Sequence, residues 1–290
     1  MGYRVNNAVI MAAGTASRFA PLSYERPKAL IEVKGEVLIE RQIRQLQEAN
    51  IPEIILVVGY KKEQFNYLQE KYGVRIVENN DYLTRNNNAS IYAVREFLKN
   101  TYICSSDNYF SDNPFTAEVD DSYYAAVYAS GETKEWCMTE GSDGYIDNVR
   151  VGGCNAWYML GHTFWSEDFS KKFLSILEKV YNLPETVDLL WESIFMEHLD
   201  VLKMKMRRYP DSAIFEFDTL DELREFDGSY VHDTRSQILK RVARELNCSE
   251  EDITKVTAYK TADNAAAGMR FTVRNISYEY DYDTMKIREI

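Results

Sequence analysis

A chain of 290 residues with 45% hydrophobic side chains can build one large domain, or a medium one with an appendage, and global disorder is excluded. Its 46 acidic against 34 basic side chains give a formal net charge of -12, which opposes a nucleic-acid backbone and suits a small or cationic partner. No apolar run approaches the roughly 20 residues of a membrane span, Met1 to Asn7 lack a secretion pattern, and the scattered Cys104, Cys137, Cys154 and Cys248 suggest neither zinc nor disulfides, so a cytoplasmic protein with reduced packing cysteines is expected.

In chain order, the apolar run Val9 to Met11 predicts a strand, Gly14 to Pro27 a long loop, and Leu38 to Ala49 a helix. Ile54 to Val58 predict a second strand ending at Gly59, Phe65 to Tyr72 a helix, and Val74 to Val77 a third strand. Ser90 to Leu98 read as a helix, Tyr102 to Ser105 as a buried strand and Tyr123 to Ser130 as a longer aromatic one. Strands alternating with helices imply a Rossmann-like α/β fold, with a mostly parallel central sheet flanked by helices and a ligand site at the carboxyl ends of its strands. Turn signals at Gly141, Gly144 and Gly152-Gly153 predict several short strands over Trp136 to Leu160, an antiparallel excursion forming a lid over the sheet. Helices follow at Asp168 to Tyr181 and Val187 to His198, strands at Val201 to Met206 and Ile214 to Phe217, and a helix at Leu220 to Phe226. The main domain is therefore expected over 1–228. Residues 229–290 form a short α+β appendage, one amphipathic helix (Ile238, Val242, Leu246) and a hairpin around Phe271 to Tyr282, too little for an independent core.

The loop after the first strand, Ala12-Ala13-Gly14-Thr15-Ala16-Ser17-Arg18, carries small residues that let backbone N–H groups approach a triphosphate, with Arg18 and Lys28 adding positive charge. An ordinary surface loop would share this composition. The combination of Ala12-Ala13-Gly14, Arg18, Pro21-Leu22-Ser23 and Pro27-Lys28-Ala29-Leu30 resembles the signature of the sugar-nucleotide nucleotidyltransferases; it is neither a Walker loop nor a dinucleotide fingerprint. Ala16 departs from the pattern, because the family often has a second Gly there. Val57 to Phe65, Glu70 to Val74, Ser106-Asp107-Asn108-Tyr109, Glu135-Trp136, Val187 to Trp191 and Glu216-Phe217-Asp218 extend the likeness over residues 5 to 227, toward the bacterial CTP:phosphocholine cytidylyltransferases.

That resemblance implies CTP and phosphocholine as substrates, Mg²⁺ as cofactor, and catalytic roles for Arg18, Lys28 and Asp107. The magnesium-binding acid falls on Asp107, at the end of a strand. A second falls on Glu216 or Asp218, which otherwise read as a solvated strand residue and a helix cap. Asn88 and Ser90 offer polar groups to the cytosine edge, although Asn88 would serve equally as a cap. Recognition of a trimethylammonium needs aromatic faces and nearby carboxylates, and Glu135, Trp136, Asp188, Trp191 and Glu216 supply both, whereas Trp157 and Trp165 read as core and the histidines as packing or surface. Residues 234 to 290 resemble the start of a fused choline kinase without its catalytic motifs, and deletion after Asp227 is expected to be tolerated. A homodimer is left open. The competing readings are a cytidylyltransferase for phosphoethanolamine or 2-aminoethylphosphonate, a catalytically silent nucleotide-binding regulator, and a sugar-1-phosphate transferase.

Overall fold

The computed structural model describes residues 2–260 and 266–290; Met1 and the tail residues 261–265 lie outside it. The chain forms two compact units, Met1–Gly14 with Ile39–Glu216, and Thr15–Leu38 with Phe217–Ile290.

The first unit is built on a seven-stranded sheet in the order Lys205–Tyr209, Tyr123–Glu140, Ile146–Trp165, Thr101–Ser105, Asn7–Ala12, Ile54–Val58, Arg75–Glu78. Ala8, Val9 and Ile10, like Ile55 to Val58, are fully buried, as strands covered on both faces must be. The neighbours of Asn7–Ala12 and of Ile54–Val58 are parallel; only Ile146–Trp165 runs against its partners. One face packs Ile91 and Val94, then Phe169, Phe173 and Leu177 of the helix Glu167–Val180, and Ile194 and Phe195 of the helix Trp191–Met196.

Three expectations are corrected here. The antiparallel excursion is one hairpin of two long strands, Tyr123–Glu140 and Ile146–Trp165, instead of several short ones. Its turn uses Gly141 and Gly144, the latter at φ +76°. Gly152-Gly153 is a bulge opposite Thr133 and Trp136, and a Cβ on Gly153 would lie 2.9 Å from Cys137 Sγ. The helix expected from Val187 starts only at Trp191, so Asp188 lies before it, and the late strand is Lys205–Tyr209 instead of Val201 to Met206.

In the second unit Thr219 caps the helix Leu220–Phe226 through a capping box with Glu222, which relieves Asp218 of that role. The tail holds the helix Gln237–Glu245 and a four-stranded antiparallel sheet of Thr254–Lys260, Ala266–Val273, Ile276–Asp281 and Ile287–Glu289, more than the single hairpin foreseen. Leu239, Val242, Met269 and Phe271 are buried in it.

Candidate active site

The phosphate loop leaves the carboxyl end of the strand Asn7–Ala12. In the first unit Tyr60 N donates to Ala13 O at 3.0 Å, and a Cβ on Gly59 would come within 2.9 Å of the same carbonyl. A Cβ on Gly14 would meet nothing within 4 Å, so packing does not demand glycine there. Ala16 adopts the left-handed conformation at φ 45°, ψ 44° before the turn Ser17–Phe19. This accounts for glycine at the corresponding family position, since a Cβ in that region costs roughly 1–2 kcal/mol. Ala16→Gly is therefore expected to raise stability by about 0.5–1 kcal/mol, after allowing for the freer unfolded chain, as read by urea denaturation.

The cations of the second unit share one counter-ion. Arg18 ion-pairs with Asp218, whose other oxygen lies 3.7 Å from Lys28 Nζ, and the Lys28 ammonium sits 5.5 Å over the Phe19 ring. Arg18 is largely exposed and Lys28 is buried. Asp218 is thus engaged as an anion by the residues expected to receive a triphosphate.

In the first unit Asp107 follows the buried strand Thr101–Ser105 and accepts a 2.6 Å hydrogen bond from Ser105 Oγ. The next residue, Asn108, pairs with Glu216 across two short antiparallel strands, and its amide donates to Glu216 Oε2 at 3.1 Å. Chain direction and register therefore bring Asp107 and Glu216 to neighbouring strand ends. Among the described residues no three His, Cys, Asp or Glu side chains cluster as a metal cage. Two carboxylates nonetheless fit Mg²⁺, a hard cation that ordinarily takes one or two protein carboxylates and completes its shell with water and substrate phosphates.

Glu216 and Ser105 also line a pocket of about 180 Å³ with Tyr124, Trp191, Asn87 and Glu192. Trp191 stacks on Tyr124 with ring centroids 5.8 Å apart, and its far side packs edge-on against Trp165. Glu192 accepts from Asn87 Nδ2 at 3.0 Å and from Tyr124 OH at 3.4 Å, while Asn87 Oδ1 takes the Trp191 backbone N–H at 2.7 Å. Burial pushes the Glu192 carboxyl up to about 7, against the opposing pull of these hydrogen bonds. Burial, followed by the charges of Glu192 and Glu216, raises the Tyr124 phenol well above its ordinary value.

Of the five expected acceptor residues, Trp191 and Glu216 line this pocket, and Glu135, Trp136 and Asp188 do not. Glu135 is exposed on the hairpin, Trp136 packs half-buried against the core, and the Asp188 carbonyl holds Asn86 Nδ2. The two residues expected at the cytosine edge are hydrogen-bonded within the protein. Asn88 is fully buried; its amide donates to the Thr186 and Leu189 carbonyls and its oxygen accepts from Arg85, while Ser90 accepts from Asn79. The Asn88 amide thereby holds the loop before Trp191. Sequence reasoning missed Glu192, which reads as a routine first-turn acid of a helix; its signal was adjacency to Trp191. His162 is a buried packing residue held neutral, its imidazole pushed down to about 3 by burial, and Cys154, unlike the buried Cys104 and Cys137, is exposed.

Residues 8–136 match the MobA-like NTP transferase domain family, and with the two relatives that follow the chain is an enzyme of the nucleotidyltransferase class. It is 37% identical over 220 residues to the choline-phosphate cytidylyltransferase of Streptococcus pneumoniae, covering 76% of this chain and 96% of that protein. It is 36% identical over 234 residues to the 2-aminoethylphosphonate cytidylyltransferase of Lancefieldella rimae, covering 79% and 95%. The solved structure of the S. pneumoniae CTP:phosphocholine cytidylyltransferase superposes with a TM-score of 0.74 over 78% of this chain and 99% of that one. The chain belongs to the family of bacterial cytidylyltransferases that these enzymes represent.

Proposed function

We propose that the chain transfers the cytidylyl group of CTP to phosphocholine, giving CDP-choline and pyrophosphate. The observation that carries this reading is the pocket in which the stacked Trp191 and Tyr124 rings stand beside the Glu192 carboxyl, since aromatic faces with a carboxylate suit a quaternary ammonium that donates no hydrogen bond. An acceptor phosphate oxygen forms a bond to the α-phosphorus, the bond from that phosphorus to the bridging oxygen breaks, and pyrophosphate leaves. No protein base is needed, because the attacking oxygen is already ionised near neutral pH. The chain's task is to position two anions and suppress their repulsion. Arg18 and Lys28 neutralise the triphosphate, exchanging Asp218 for it, and the backbone of Ala12 to Ser17 cradles it. Asp107 and Glu216 would hold Mg²⁺, which stabilises the charge on the phosphates.

A second reading, 2-aminoethylphosphonate as acceptor, is favoured by the Lancefieldella relative and by the hydrogen-bond acceptor that Glu192 offers a primary ammonium. Pyrophosphate release with Mg²⁺ and CTP, measured with phosphocholine, phosphoethanolamine, 2-aminoethylphosphonate and glucose-1-phosphate in turn, is expected to give the highest kcat/KM with phosphocholine. A preference for the phosphonate transfers the assignment to the second reading, and no release with any acceptor overturns both.

The open space around Gly14 makes a separate prediction. Gly14→Ala is expected to leave the melting temperature unchanged and to raise KM for CTP about tenfold, because only a bound phosphate would meet the added methyl group. An unchanged KM would remove this loop from nucleotide binding.

A further inference from the structure

Residues Thr15–Leu38, which carry Arg18 and Lys28, belong to the same compact unit as the tail, and the contacts between them are specific. Glu25 Oε1 accepts from the backbone N–H groups of Gln237 at 2.7 Å and Ile238 at 3.2 Å, adding a carboxylate to the helix N-terminus already capped by Ser236. Arg235 donates to the Glu32 carbonyl at 3.1 Å, to Tyr230 OH at 3.0 Å and to Ser229 Oγ at 3.0 Å, and Tyr230 OH donates to the same Glu32 carbonyl at 2.5 Å. Lys34 N donates to Asp227 at 2.7 Å. Tyr24 stacks on Tyr282 of the tail sheet with centroids 3.9 Å apart. The tail is joined in turn to the helix following Asp218, where Arg224 donates to the carbonyls of Ile253 at 2.7 Å and Glu250 at 2.8 Å. Buried Lys28 therefore lies between anchor points at residues 24, 25, 32 and 34, and its counter-ion Asp218 precedes a helix that the tail also holds.

We infer that residues 229–290 are a positioning element for the triphosphate-binding cations, with Arg235 and Glu25 as its positioning residues. The inference rests on the nucleotide-binding role given above to Arg18 and Lys28. It also reverses the expectation that deletion after Asp227 is tolerated, since that deletion removes the partners of Tyr24, Glu25 and Glu32.

The test uses the full-length protein with Arg235→Ala, an exposed position whose change leaves the core intact, and Glu25→Ala, with Glu25→Gln as the conservative control that keeps an acceptor for both N–H groups. Both alanine variants are expected to raise KM for CTP about tenfold, to leave KM for the acceptor within twofold, and to speed amide hydrogen exchange over residues 24–34; Glu25→Gln restores most of the CTP effect. Tyr282→Ala removes the ring stack independently and should act in the same direction. Folded variants with unchanged CTP KM, or with unchanged exchange over 24–34, overturn the inference. A wild-type protein that releases no pyrophosphate with CTP would sink the assigned reaction instead, and the exchange measurement would still decide the role of the tail.

Discussion

Asp107→Ala is expected to lower kcat by roughly 10³-fold, because catalysis in the proposed reaction consists of stabilising phosphate charge and a single preorganised contact of that kind is worth about 10²–10³ in rate. The loss should appear in kcat and in the Mg²⁺ concentration needed for half-maximal rate, with little change in the melting temperature, since Asp107 is half-buried at a strand end with Ser105 Oγ as its hydrogen-bonded neighbour. Glu216→Gln should raise the Mg²⁺ requirement in the same way. Asp218→Asn should instead leave that requirement alone and alter CTP binding, because Asp218 is committed to Arg18 and Lys28. If Asp107→Ala retained more than a tenth of the wild-type rate, the metal assignment would fail.

The second large effect concerns Glu192. Removing one member of an enclosed charge pair costs about 2 kcal/mol or more, so Glu192→Gln should raise KM for phosphocholine roughly 30-fold at pH 8 and leave KM for CTP unchanged. The pH dependence has a definite sign. A cationic head group binds the ionised carboxylate, and the Glu192 carboxyl holds its proton up to about pH 7, so KM for the acceptor should climb as pH falls through 7. The acceptor phosphate also titrates near pH 6, but it does so identically with Glu192→Gln, and the difference between the two profiles isolates Glu192. Asn87 and Tyr124 are the groups bonded to it, and the Tyr124 phenol, raised by burial, stays neutral throughout. Between pH 4.5 and 7 the folded chain retains a proton that the unfolded chain has lost, so the contribution of Glu192 to stability declines as pH rises through that window. Glu192→Gln should therefore be more stable than wild type at pH 8, on the order of 1–3 kcal/mol, while binding its acceptor worse. Denaturation curves at pH 5 and 8 check this, and parallel behaviour of the two proteins would refute it.

Trp191 needs a gentler substitution. It is 1% exposed and wedged among Tyr124, Trp165 and Phe173, so alanine would open a cavity costing about 3–5 kcal/mol and confound any change in KM. Trp191→Phe keeps an aromatic face and tests the pocket.

Local pattern carried the parallel strands and the phosphate loop into view, because buried strands read as apolar runs and the loop signature is contiguous. The long hairpin was hidden by its bulges, since Gly152-Gly153 carries the composition of a turn and the pairing of Val151 with Trp136 closes over a distance that no local signal spans. The pocket proposed for the acceptor was half legible. Trp191 and Glu216 stood out by chemistry, whereas Glu135, Trp136 and Asp188 had suitable types with no contact among the pocket walls, and Asn88 had its hydrogen bonds spent on a loop a hundred residues away. The junction between Glu25 and Gln237 joins positions 212 apart, and nothing in the periodicity of either segment points to the other.

The stacking of Trp191 on Tyr124 at the pocket wall also gives the chain an optical reporter. On the proposed reading an acceptor enters beside that indole, while Trp165 lies fully buried behind it. Intrinsic emission, compared between wild type and Trp191→Phe to isolate this indole from Trp136 and Trp157, is expected to follow occupancy by candidate acceptors without CTP, separating affinity from turnover with no label attached.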